Sequence, residues 1–153
     1  MIFDRTQNDI NAAISLKKRL QSGEVLASDE LQRIERGTLT ISTLNRIEQK
    51  THELVELFRS VGYYLEEIPL VEWDYTDYFR ETDFAVILDN VRALRNGFYV
   101  YADTPETPEN NYRKYQVIND VERILHDLEA MAQDIMSRYR QCGTFECGEV
   151  NDL

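Results

Sequence analysis

One apolar row constrains this chain more than any other feature in it. Leu44, Ile47, Thr51, Leu54, Phe58 and Val61 recur at alternating steps of three and four residues, the spacing that lines one face of an α-helix. Thr51 is its single polar break. Thr40 or Ser42 offers a cap before it, and Gly62 a stop after it. Two more rows follow. Phe84, Ile87, Leu88, Val91, Leu94 and Phe98 form one, behind a cap at Thr82. Val121, Ile124, Leu125, Leu128, Met131, Ala132, Ile135 and Tyr139 form the other, in a helix from about Tyr115 to Arg140. Faces this apolar must be buried against one another.

Shorter helices precede these. One runs from about Thr6 to Gln21, with Asp4 and Gln7 as a capping box and Ile10, Ala13, Ile14 and Leu20 on one face. Another spans Asp29 to Arg36, between Ser28 as cap and Gly37 as stop. Between the long helices, residues 63–81 hold Pro69 and no helical period, and Thr104-Pro105-Glu106-Thr107-Pro108 breaks the chain again. The expected fold is all-α, a bundle of four to five helices with a long aromatic connector and a non-helical C-terminal tail. A chain of 153 residues makes one core, so residues 1–141 read as a single bundle domain and 142–153 as its tail.

The net charge is −11, which opposes direct binding to nucleic acid through phosphates. Residues 61–90 carry most of it, with eight acids against one base, Arg80. The same stretch holds Tyr63, Tyr64, Trp73, Tyr75, Tyr78, Phe79 and Phe84. Rings among acids have two readings. They fold back onto the bundle as anchors, or they form a protein-contact surface, where Tyr and Trp are enriched. No unbroken apolar run is longer than the five residues of Phe84 to Leu88, too short to span a bilayer, and the N-terminal residues lack the apolar stretch of a signal peptide. No signal peptide, no transmembrane segment and no membrane partner are therefore expected.

Candidate chemistry is sparse. The two histidines sit in matching contexts, Asn45-x-x-Glu48-x-x-x-His52 and Asn119-x-x-Glu122-x-x-x-His126. Glu and His four apart share a helix face, so two such helices could offer a metal two carboxylates and two imidazoles. At about 100° per residue, however, both glutamates fall about 90–110° from their apolar rows, and both histidines farther out. They read as surface pairs, and the Glu-x-x-His spacing of di-iron bundles is missing. No phosphate-binding glycine loop and no nucleophile elbow occurs. Cys142 and Cys147 read as free thiols in a reducing compartment, with a disulfide or a shared metal as alternatives. The chain is therefore read as non-enzymatic, with no catalytic residue, cofactor or metal. Its candidate contact residues are Trp73, Tyr75 and Tyr78 in the connector and Cys142, Phe145 and Cys147 in the tail. Self-association through the third helix's repeat, or a leftover face of the fifth, is also expected.

Several stretches in order resemble a known family. They are Thr40-Ile41-Ser42-Thr43-Leu44-Asn45-Arg46-Ile47-Glu48, Trp73 with Asp77, and Leu88-Asp89-Asn90-Val91-Arg92-Ala93-Leu94-Arg95. Thr107-Pro108, Ile118 to Leu125, and Gly143-Thr144-Phe145-Glu146-Cys147-Gly148-Glu149 complete the set. Together they resemble a helical module of tail-region proteins of phages and prophages of Gram-positive bacteria. Members often end in a similar glycine-containing signature, with Tyr and Ser where this chain has cysteines. The resemblance implies a structural or host-contact part of a virion, assembled in the host cytoplasm, with other phage structural proteins as partners. It implies no catalytic residues. Two other functions compete with it. One is a metal-binding helical protein using Glu48, His52, Glu122 and His126. The other is an acidic inhibitor of a host nucleic-acid-binding protein.

Overall fold

A computed structural model describes residues 1–74 and 76–141. Five helices follow in order: α1 (Gln7–Gln21), α2 (Ser28–Gly37), α3 (Ile41–Ser60), α4 (Glu81–Gly97) and α5 (Tyr115–Gln141). No strand occurs among the described residues. The all-α bundle expected from the apolar rows is what the chain forms. No described helix is long and apolar enough to cross a membrane.

The helix starts are set by acids at the third helical position. Asp9 accepts the Thr6 amide at 2.8 Å, Glu30 accepts the Ala27 amide at 3.0 Å, and Asp83 accepts the Arg80 amide at 2.7 Å. Each carboxylate satisfies an otherwise orphaned donor and sits where the helix dipole favours negative charge. These bonds, reciprocated only at α1 where Thr6 Oγ1 accepts the Asp9 amide, displace the expected caps. Thr6 replaces Asp4, Ser28 and Thr82 move inside their helices, and Gly37 becomes the last residue of α2 instead of the stop beyond it. At α3 the side chain of Thr40 does cap, accepting from the Thr43 amide at 3.2 Å.

The rows on α3, α4 and α5 meet in one core. Ile47, Val55, Phe58, Phe84, Val91, Leu94, Val121, Ile124, Leu125 and Leu128 are all fully buried in it. Thr51 joins them with its hydroxyl satisfied, donating to the Ile47 carbonyl one turn back, at 2.8 Å. The α3 repeat is thus consumed inside the monomer and offers no seam to a second copy, contrary to expectation. Only Val61 at its end is exposed. At that end Phe58 stacks on Phe98, with centroids 4.0 Å apart, and Tyr63 meets Phe98 edge-on at 4.7 Å.

α1 packs chiefly on α2, over a small separate core of Leu16, Leu26 and Ile34. The turn between them needs Gly23, whose φ is +86°. The two helices touch at Gly37, where an added Cβ would lie 2.2 Å from the Asp9 carbonyl oxygen.

The chain also repeats its own plan. α1 and α4 begin at the same separation along the sequence as α3 and α5. Asp9 and Asp83, Asn45 and Asn119, Glu48 and Glu122, and His52 and His126 are pairs at that separation too. Each half is an extended arm, an acid-capped helix, and a long helix carrying Asn-x-x-Glu-x-x-x-His. In the first half α2 occupies the interval that the proline-bounded loop fills in the second.

Candidate functional site

The repeated motif holds extended chain. On α3, Asn45 brackets the backbone of Trp73. Its Oδ1 accepts the Trp73 amide at 2.7 Å and its Nδ2 donates to the Trp73 carbonyl at 2.9 Å. Two turns on, His52 Nδ1 donates to the Ile68 carbonyl at 3.0 Å. The connector therefore runs along α3 in the opposite direction, pinned at both ends. On α5, Asn119 brackets Arg5 in the same way, accepting from its amide at 3.3 Å and donating to its carbonyl at 3.0 Å. His126 lies against the Phe3 ring, with centroids 4.9 Å apart. The N-terminal arm lies along α5 as the connector lies along α3. In each case the asparagine satisfies an isolated backbone amide and carbonyl that have no ladder to join.

The glutamates lie beneath these arms, not on a wet surface as the angles suggested. Glu122 is fully buried. One carboxylate oxygen accepts from Arg5, and the other accepts from Arg46 Nε at 2.9 Å, with Arg46 Nη2 also 2.8 Å away. Arg46 reaches onward to Glu35 at 3.4 Å. Two guanidinium charges at one carboxylate oppose a third cation there. Glu48 is 4% exposed and has no charged partner of this kind among the described residues. Burial raises its pKa, and the nearby Trp73 indole lowers it in part without reaching regular hydrogen-bond geometry. His52 is half-buried under the connector and His126 is exposed. The four proposed metal ligands do not converge. Among the described residues no group of three or more His, Cys, Asp or Glu side chains could hold a metal ion.

The raised Glu48 pKa carries a sign that can be measured. The folded state binds the proton more tightly than the unfolded chain. The contribution of Glu48 to stability is therefore full at low pH and is lost as pH rises from the ordinary carboxyl range of the unfolded chain, about 4.3, through the raised folded value. It levels off above the folded pKa. Glu48→Gln is expected to unfold at higher temperature than the natural chain at pH 7, by about 1 kcal/mol of added stability. That advantage should disappear below about pH 4. Thermal melts of both proteins from pH 3 to 8 check this.

A second buried polar cluster ties the proline-bounded loop to α5. Asp127 is 4% exposed. It accepts from Thr104 Oγ1 at 2.9 Å and from Arg123 Nε at 2.8 Å. Burial pushes its carboxyl up, but Arg123, His126 and Thr104 together hold it below the usual range.

The expected contact residues divide. Trp73 turns inward, half-buried and edge-on to Phe79 at 5.1 Å. Tyr78 is 81% exposed, with the Arg80 guanidinium over its ring. Tyr75, Cys142, Phe145 and Cys147 lie outside the described residues. Sequence reasoning missed Arg5, Arg46 and the two asparagines. The signal was present in the duplicated motif, but it was weighed as a ligand set. No family model matches the chain, and neither a curated protein nor a solved structure matches it significantly.

Proposed function

We propose that this chain is a non-enzymatic structural module of a phage or prophage particle, acting through protein–protein contacts as a homo-oligomer and with other particle proteins. One observation supports this most. The connector is pinned to α3 at Asn45 and His52, yet it presents Tyr64, Leu70, Val71 and Tyr78 outward, the two tyrosines 93% and 81% exposed. Apolar side chains on backbone that is already ordered bind a partner at reduced entropic cost. Acids beside them (Glu66, Glu67, Glu72 and Asp74) are exposed as well, and would select a partner by charge.

Sedimentation equilibrium tests the self-association. The natural chain is expected at a multiple of 18.0 kDa. A Leu70→Asp/Tyr78→Ala variant should fall to the single-chain mass with an unchanged circular dichroism spectrum. A natural chain at the single-chain mass across all concentrations would contradict it. Genes flanking this one are expected to encode tail, baseplate or lysis proteins.

The exposed acids of the connector favour one alternative, an acidic inhibitor of a host nucleic-acid-binding protein. Capture of a DNA-binding protein from host lysate, abolished by charge reversal of Glu66, Glu67 and Glu72, would favour it over the structural role.

A further inference from the structure

Where the arm meets α1, a cavity of about 470 Å³ opens between α1, the turn into α3, Phe79 and the start of α5. Its volume lies within the range of small-molecule sites. Ile10, Ile14, Leu39, Leu44, Phe79 and Ile118 supply an apolar lining. Ile14 is 47% exposed and Arg113 is exposed, so the cavity is reached from the surface.

Its polar groups are unusual for this chain. Two arginines, Arg5 and Arg113, line the cavity, and no carboxylate does, although the protein holds 28 acids against 17 bases. Arg5 is 4% exposed. Its Nη1 serves Glu122, Asn119 and the Ile2 carbonyl, while its Nη2 is buried and has no hydrogen-bond partner among the described residues. A buried guanidinium nitrogen without an acceptor is costly. Glu122 is shared with Arg46, so the carboxylate beside Arg5 already balances another charge. The missing group is an acceptor, and anionic oxygens are the strongest acceptors for a guanidinium.

We infer that this cavity binds a small amphipathic carboxylate, its hydrocarbon body against Ile10, Ile14, Leu39 and Leu44 and its carboxylate on the arginines. Isothermal titration calorimetry on the full chain tests this, with decanoate as probe below its micelle concentration. Decanol supplies the body without the charge, and acetate the charge without the body. Removing Arg5 would disturb the buried ion pairs, so the discriminating variant is Ile14→Trp. It fills the cavity from a half-exposed position and leaves Arg5, Arg46 and Glu122 untouched. Expected is one saturable decanoate site per chain, at least tenfold tighter than decanol. Acetate should give no measurable binding, and Ile14→Trp should weaken decanoate at least tenfold while retaining the natural circular dichroism spectrum. Absence of saturable decanoate binding, equal affinity for decanol, or unchanged affinity in Ile14→Trp would each overturn the assignment.

Discussion

Glu122→Ala is expected to destabilise the protein by about 3–5 kcal/mol, the cost of leaving buried charge without its partner. That is a large share of the 5–15 kcal/mol that holds a typical domain folded. Two cations depend on this one carboxylate, and they are not equivalent. The Arg46 side chain is 27% exposed and already leans on Glu35, so it can turn to water. The Arg5 side chain is 2% exposed and lies under its own arm. The loss should therefore concentrate at Arg5 and free residues 1–6 from α5. Arg46→Ala should cost less than Glu122→Ala. Replacing all three with apolar residues (Arg5→Met, Arg46→Met, Glu122→Leu) should recover most of the stability, since a buried ion pair often contributes little beyond a well-packed apolar substitute. Urea unfolding of the four proteins ranks them. A Glu122→Ala protein as stable as the natural chain would remove the buried ion triad from the explanation of this fold.

Phe58→Ala should cost a similar amount, about 3–5 kcal/mol, for a different reason. Phe58 is fully buried and stacks on Phe98 just past the end of α4. Tyr63, just past the end of α3, closes the cluster against both rings. These rings join the ends of two helices that the sequence separates widely. Truncating the central ring removes its transfer energy and leaves a cavity that flanking helices cannot collapse to fill. At about 2–4 °C per kcal/mol for a chain of this size, the melting temperature should fall by roughly 6–20 °C. Phe58→Leu, which refills most of the volume, should lose less than half as much.

Much of the fold can be read from the sequence because three helices bury continuous rows. Leu44 to Phe58 and Val121 to Leu128 have one periodicity and one environment, and propensity, spacing and burial agree along them. Caps were less legible. Thr82 and Ser28 are good capping residues, but Asp83 and Glu30 accept the amides of Arg80 and Ala27, three residues back, and shift each start by one or two positions. The glutamates misled for a geometric reason. An angle of about 90° from an apolar row marks the flank of a helix, and a flank is wet only if nothing lies on it. Here residues 68–73 cover one flank and residues 2–5 the other, and extended segments have no periodicity to announce where they dock. Arg5 was illegible for the same reason, since its partner lies at the far end of the chain. The duplicated Asn-Glu-His pattern was visible throughout. Its meaning depended on which atoms the asparagines reach, and those are backbone atoms with no signature in sequence.

That the two motifs are clamps for extended chain is the claim on which the rest depends. Amide hydrogen exchange at Trp73, in the natural chain and in Asn45→Ala, tests it most directly. The Trp73 amide belongs to no helix, and its one acceptor among the described residues is Asn45 Oδ1. It should exchange slowly in the natural chain and at least tenfold faster in Asn45→Ala, with amides in the middle of α3, α4 and α5 unchanged. A Trp73 amide that exchanges as freely as an unstructured one in the natural chain, or that keeps its protection without Asn45, would contradict the clamp.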